Sequence, residues 1–456
     1  MPRFPASRRR FLKAAAAGGL LAAIERNVAL AQSAPDYKAL VCVNLAGGND
    51  GENTLIRFDA AGYKNYANIR PAASGINIPQ AQVLPVQPTR GGPPFGFHPA
   101  CAPLHDLFSR KKLAVLANVG VLAQASTRSS LLAGGAPRPA NLFSHNDQEL
   151  VVQSGVHTGF ERTGWGGRVA DRLDNANQGV LFPALTSTTG LRTFVSGRTS
   201  IPLTVPNNPS FRLAYSGEGY GQFDALRDAA LREALGQNYS NNIYDTAAQL
   251  YAQEGLSASS VVVPILQNSA SAVAPIFAGI NSNIGRQLRT VAMLIEARAQ
   301  VQLRRQMFYA QHGTYDTHGD QAALHGALLD ELSVAIKAFD DAMTALGVAN
   351  SVTLFTLSEF GRTFKPASNQ GTDHGWGNYA FVAGGAVNGG DFYGTLPVQA
   401  LDGPDDLGNA GRWIPTTSLE QYGATLCRWF GIAESDLPYV FPNIGAFGNT
   451  NLGFMA

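Results

Sequence analysis

Short apolar runs alternate along this chain with stretches in which apolar residues recur every third or fourth position. Ala39–Leu45 is the first run, bounded by Gly47-Gly48, and it reads as a buried strand. Leu113–Val119 and Val352–Leu357 read as further core strands, with Val301–Tyr309 and Tyr379–Val382 as two more. Between them, Leu288, Val291, Leu294 and Ile295 fall at helical spacing, and Leu324, Leu328, Leu332, Ile336 and Phe339 trace another helix face. Helical patterns also run from His98-Pro99 to near Lys112, over Phe223–Leu235 and over Leu419–Phe430. This alternation predicts an α/β fold with a mainly parallel sheet and helices on both faces. Residues 180–282 break the rhythm with short apolar runs and Pro-rich turns. They read as an insertion or lid over the sheet edge, or as a small second domain.

Polar clusters sit where the apolar runs stop, and in an open α/β sheet the carboxyl ends of strands are where ligands bind. Ala46-Gly47-Gly48-Asn49-Asp50 follows the first strand, and Tyr315-Asp316-Thr317-His318 lies in a later loop. Ser358-Glu359-Phe360-Gly361-Arg362 follows Leu357, and Thr372-Asp373-His374-Gly375-Trp376-Gly377-Asn378 precedes the last strand. Asp, Glu and His are the side chains that hold divalent metals. Asp50, Asp316, His318, Glu359, Asp373 and His374 are the candidate metal ligands, with His145 a further one, a set large enough for one or two ions. Asp316 and His318 differ by two positions, so an extended loop points both to one side. Arg362 offers a planar fork suited to clamping an oxyanion. Ser144 admits two readings, a helix N-cap with Asp147 completing the arrangement or a nucleophile. Gly164–Arg168 opens a helical run whose first amides favour an anion.

Length and charge narrow the picture. At 456 residues and 45% hydrophobic, the chain can bury a large core, and a formal net charge of +1 argues against a nucleic-acid partner. Ser7-Arg8-Arg9-Arg10-Phe11-Leu12-Lys13, the apolar stretch Ala14–Ala23 and the small-residue site Ala29-Leu30-Ala31 form a twin-arginine export signal. Residues 1–31 are expected to be removed, leaving 32–456 as the mature domain in the periplasm or outside the cell. The Tat translocase is then the partner during export. The signal's apolar run is too short for a bilayer, and no other segment has about 18 consecutive apolar residues, so no permanent membrane anchor is expected. The three cysteines, Cys42, Cys101 and Cys427, match no disulfide framework or zinc-finger spacing. Cys42 reads as a core thiol, and a bridge from Cys101 to another cysteine stays open.

Together, Gly47-Gly48-Asn49-Asp50-Gly51, Ser144-His145, Tyr315–His318, Ser358–Arg362 and Thr372–Asn378 resemble the DUF1501 family over about residues 38–445. These are exported bacterial proteins related to the alkaline phosphatase/sulfatase superfamily. The resemblance implies an alkaline phosphatase-like α/β sandwich with a metal centre at the sheet's carboxyl edge, holding one or two divalent ions (Zn, Mn, Ca or Mg). Asp50 matches the superfamily's Asp after the first strand, Asp316 and His318 resemble its Asp–His pair at a shorter spacing, and His374 matches its last His. Ser358-Glu359 stands where an Asp-His pair is expected. Ser144 is the candidate nucleophile, with Thr127 or Ser129 as alternatives, and His145 is its neighbour. No Cys-x-Pro-x-Arg sequence occurs, which argues against a formylglycine sulfatase. The expected function is an exported metal-dependent hydrolase of phosphate or sulfate esters acting on a small anionic ester. The alternative is a non-catalytic exported protein on the same fold, binding a surface polymer.

Overall fold

The computed structural model describes residues 36–159, 161–173, 176–177, 183–205, 224–237 and 243–456. The expected export signal and cleavage site lie outside the described residues. The strands, in chain order, are β1 (Lys38–Leu45), β2 (Leu55–Arg57), β3 (Leu84–Val86), β4 (Phe95–Phe97), β5 (Leu113–Gly120), β6 (Leu185–Ser187), β7 (Leu203–Thr204), β8 (Arg305–His312), β9 (Val352–Leu357), β10 (Asn378–Gly384), β11 (Asp391–Tyr393) and β12 (Thr417–Ser418). Among the described residues, nine of them form one sheet in the order β11-β5-β10-β9-β1-β8-β6-β7, with β12 beside β5. β1 pairs parallel with both β8 and β9, whereas β10 runs antiparallel to β9 and β5. The remaining pairs, β11 and β12 with β5 and β6 with β7 and β8, are parallel. A smaller sheet joins β2, β4 and β3.

Both faces of the large sheet are covered, which is why β1 and β9 read as unbroken apolar runs rather than alternating ones. Alternation still sorts their side chains: Ala39, Val41, Val43 and Leu45 enter one core, and Leu40 and Cys42 enter the other. The first core is closed by helices α1 (Ala102–Ser109), α4 (Asn283–Glu296) and α5 (Gln321–Ala345). The second is closed by α2 (His145–Ser154), α3 (Trp165–Ala170) and α6 (Leu419–Phe430). Trp165 is fully buried there between Phe194, Phe355 and Phe441.

Several expectations shift. The expected strand near Val301 begins at Arg305, because Val301 closes a short helix and Gln302 takes a left-handed φ of 58°. On α5, Leu332, Ile336 and Phe339 are buried but Leu324 is 54% exposed. A repeat of four residues drifts by about 40° per step around a helix, so the ends of a long stripe leave the core. The described parts of residues 180–282 join the main body: β6 and β7 extend the sheet, and Val262, Ile265 and Leu266 pack in the first core. The three cysteines are free and buried, correcting the bridge left open for Cys101, which lies in the first core whereas Cys42 and Cys427 lie in the second. Among the described residues, no helix is long and apolar enough to cross a membrane.

Candidate metal centre

The sheet delivers its polar loops to one rim. β1, β8 and β9 are parallel, so the chain leaves all three at the same edge, through Gly47-Gly48, Tyr315–His318 and Ser358–Arg362. β10 runs the other way, so Asp373 and His374 arrive at that rim from its amino-terminal side. α2 adds His145 from above.

Asp316 is the hub. Its Oδ1 lies 2.9 Å from His318 Nε2, 3.2 Å from His145 Nε2, 3.3 Å from His374 Nε2 and 2.8 Å from Arg362 Nη1. His318 Nε2 and His374 Nε2 are 3.0 Å apart. The outer nitrogens of two imidazoles are already committed. His145 Nδ1 lies 3.0 Å from Glu359 Oε1, and His374 Nδ1 lies 2.7 Å from the carbonyl of Phe143. Each partner is an acceptor, so each Nδ1 carries a proton, and in the neutral ring each Nε2 presents a lone pair to the Asp316 carboxylate. His145 Nε2 and Glu359 Oε2 are buried without a hydrogen bond. Lone pairs facing a carboxylate repel unless a cation stands between them. Ligands of a tetrahedral ion with bonds of about 2.0–2.1 Å stand roughly 3.4 Å apart, close to the separations seen here. His145, Asp316 and His374 form one group able to hold an ion, and His318, Asp373 and His374 form another. The residues fit the metal that the resemblance implies.

Charge tuning agrees with this arrangement. The Glu359 hydrogen bond, with the nearby Asp316 charge, raises the His145 pKa, whereas burial lowers that of His374. The Asp316 pKa is lowered: burial opposes this, but the Arg362 hydrogen bond and charge outweigh it.

The other candidates have different employment. Asp50 stands outside the cage and is corrected from ligand to cap. It accepts from the Glu52 and Asn53 amides, pairs with Arg70 at 2.8 Å, and accepts from Gln321 Nε2 at 2.5 Å. Arg362 is not free to clamp an anion. Its Nη1 donates to Asp316 and the Gly47 carbonyl, and Nε and Nη2 donate to Thr372, so it holds Asp316 in place. Glu359 Oε1 accepts from the Gly47 amide at 2.6 Å as well as facing His145, the geometry of an outer partner that orients a ligand. Asp373 accepts from the His374 amide and pairs with Arg412 at 2.6 Å at the rim. Ser144 occupies the N-cap of α2, yet its Oγ donates to Asp147 (2.6 Å) and makes no side-chain cap bond. Among the described residues no imidazole bonds to Ser144. Thr127 caps a short exposed helix over Arg128–Leu132, with Ser130 completing the box and Ser129 beside it. Gly164 heads only a six-residue helix.

Two parts of the centre had no mark in the sequence. The Phe143 carbonyl reaches His374 because Phe143 adopts a left-handed φ of 79°. Gln321 accepts from Thr317 and Thr372 while donating to Asp50, so one buried amide links the Asp50–Arg70 pair to Arg362 and Asp316. A helix-terminal Gln gives no such signal in advance.

One family model, described as Protein of unknown function (DUF1501), matches residues 37–407. No curated protein matches the sequence. Among solved structures the chain is similar to the PsFucS1 sulfatase from Pseudoalteromonas sp., with 10% identity, TM-score 0.34, and coverage of 95% of this chain and 73% of that one. It is also similar to a 2-O GAG sulfatase (10% identity, TM-score 0.34, 89% and 74% covered). A third is the phosphonate monoester hydrolase of Agrobacterium radiobacter (11% identity, TM-score 0.28, 87% and 74% covered).

Proposed function

We propose, for a chain that belongs to the DUF1501 family, that it is a metal-dependent hydrolase of phosphate or sulfate esters. The observation that carries this reading is the convergence of His145, His318 and His374 on one oxygen of Asp316, with the Nδ1 of two imidazoles turned to acceptors, Glu359 and the Phe143 carbonyl. His145, Asp316 and His374 hold a divalent cation, Zn, Mn, Ca or Mg, and His318 with Asp373 and His374 offers the place for a second. A bound cation supplies Lewis acidity toward the ester's oxygens. Glu359 and the Phe143 carbonyl fix the imidazole rings, and Arg362 fixes the carboxylate. Asp373 and Arg412 stand at the rim, where a small anionic ester enters.

Export completes the proposal. The twin-arginine pattern directs the folded chain through the Tat translocase to the periplasm or beyond. Replacing Arg8 and Arg9 with Lys and locating the protein by cell fractionation tests this.

Metal analysis of the purified protein, with a panel of phosphate and sulfate monoesters and diesters, is the decisive experiment. One or two tightly held ions together with ester cleavage are expected. Protein that holds no ion and cleaves none of the panel defeats the reading. The bonding of Ser144 to Asp147 rather than to a base favours a second reading, a metal-holding exported protein that binds a surface polymer without turnover. Metal without cleavage selects it.

A further inference from the structure

A row of buried polar groups lies on the sheet face beneath the metal centre. Asn44 follows Leu40 and Cys42 on the face of the second core. It is fully buried, and among the described residues neither its Oδ1 nor its Nδ2 has a hydrogen bond. In the parallel register Asn44 lies beside Gln311, and Cys42 lies beside Tyr309. Alternation therefore puts Tyr309 and Gln311 on the same face. Tyr309 Oη and Gln311 Oε1 are buried without a partner as well. One strand further, Ser187 of β6 lies beside Tyr309, and the chain runs from there into a loop carrying Thr189 and Arg192. Arg192 Nε and Thr189 Oγ1 are also buried and unpartnered. Phe194 stacks on the Tyr309 ring at 5.3 Å, which brings this loop back over the face. Phe194 N also donates to Gln153 Oε1 (3.1 Å) on α2, the helix that carries His145, so the row lies at the same rim as the centre.

Buried polar atoms without partners are uncommon in native folds, because each has given up its hydrogen bonds to water for nothing. Five residues carrying such atoms at one carboxyl edge point to a partner that enters from outside. Their chemistry selects it. A guanidinium, a phenol and an amide donate together, which suits an oxyanion. Of the two nearby carboxylates, Glu149 accepts from Gln153 (2.9 Å), and Glu359 turns Oε1 to Gly47 and His145 while its Oε2 has no partner among the described residues. Among the described residues neither forms an ion pair with Arg192. Arg362, the other guanidinium of the centre, is spent on Asp316 and Thr372.

We propose that Arg192, with Tyr309 and Asn44, forms the subsite for a tetrahedral oxyanion, the phosphoryl or sulfuryl head of the ester. This rests on the hydrolase reading and assigns the clamp that Arg362 does not provide.

Calorimetric titration of the purified full chain with inorganic phosphate, and separately with inorganic sulfate, tests it, with metal content measured on the same samples. The wild type is expected to bind at least one anion, and the tighter one identifies the head group. Arg192→Met is expected to weaken that binding at least tenfold with metal content unchanged, and Arg192→Lys to restore part of it. Tyr309→Phe, which removes only the hydroxyl, is expected to weaken it several-fold. A wild type that binds neither anion, or Arg192→Met binding within twofold of wild type, overturns the subsite. Anion binding that depends on Arg192 in a protein holding no metal would uphold the subsite while defeating the hydrolase reading.

Discussion

Glu52 is buried with Trp413 Nε1 donating to one oxygen at 2.8 Å and Gln399 Nε2 to the other at 2.6 Å. Burial pushes its pKa up to about 7. The folded state thus holds a proton that the unfolded chain releases near pH 4.5. The stability this confers is complete below pH 4.5 and is lost as pH rises toward 7. Glu52→Gln keeps an acceptor for Trp413, and the Gln399 amide can turn to pair with the new amide. Chemical denaturation should show the variant gaining on wild type as pH rises, by at most on the order of 3 kcal/mol above pH 7. Asp50 behaves oppositely as one half of a buried pair. Arg70→Met leaves an unpaired buried carboxylate and should cost about 3–5 kcal/mol. His374→Ala, at a side chain 18% exposed, should strip metal while the melting temperature of the metal-free protein changes little. Protons compete for the same nitrogens. Glu359 and Asp316 raise the His145 pKa, so in metal-free protein a proton on His145 stabilises the fold at acid pH, and that help is lost as pH rises through the raised value. A chelator should therefore lower the melting temperature far more at pH 8 than at pH 5.5.

At the scale of elements, the loops of the rim are joined by backbone as much as by side chains. The Gly47 amide donates to Glu359, its carbonyl accepts from Arg362, and its φ is 107°. A Cβ at Gly47 would lie 2.5 Å from the Asp316 amide nitrogen and 2.6 Å from that of Tyr315. Gly47→Ala should cost on the order of 2–4 kcal/mol and lower metal affinity, because the β1 and β8 loops must part. Calorimetric melting and metal analysis together would show both losses. The strands that read clearly in the sequence were those buried on both faces, β1, β5 and β9, whose apolar runs admit little else. Their loops were legible for the same reason, since polar residues directly after such runs must lie at the rim. The direction of β10 was not legible, because an apolar run looks the same in either orientation. Nor were the duties of Asp50 and Arg362. A carboxylate after a strand suits a cap and a ligand equally, and only the folded contacts decide, Arg70 for Asp50 and Asp316 and Thr372 for Arg362.

For the whole molecule, the described core begins at the very start of β1. Asp36 pairs with Arg305 at 2.9 Å, and Tyr37 donates to Gln306 at 2.7 Å. A chain starting at residue 32 should melt at the same temperature as the full chain, and one starting at residue 39 should melt lower. The reversed strand has a consequence for the molecule as an assembly of two pieces. His145, Asp316, His318, Glu359 and Arg362 all precede the exposed turn at Ser368–Gln370, whereas Asp373 and His374 follow it and enter through β10. A nick in that turn would split the ion's coordination shell between two polypeptides, and a captured cation would report, by its mere retention, that the severed halves had found each other again.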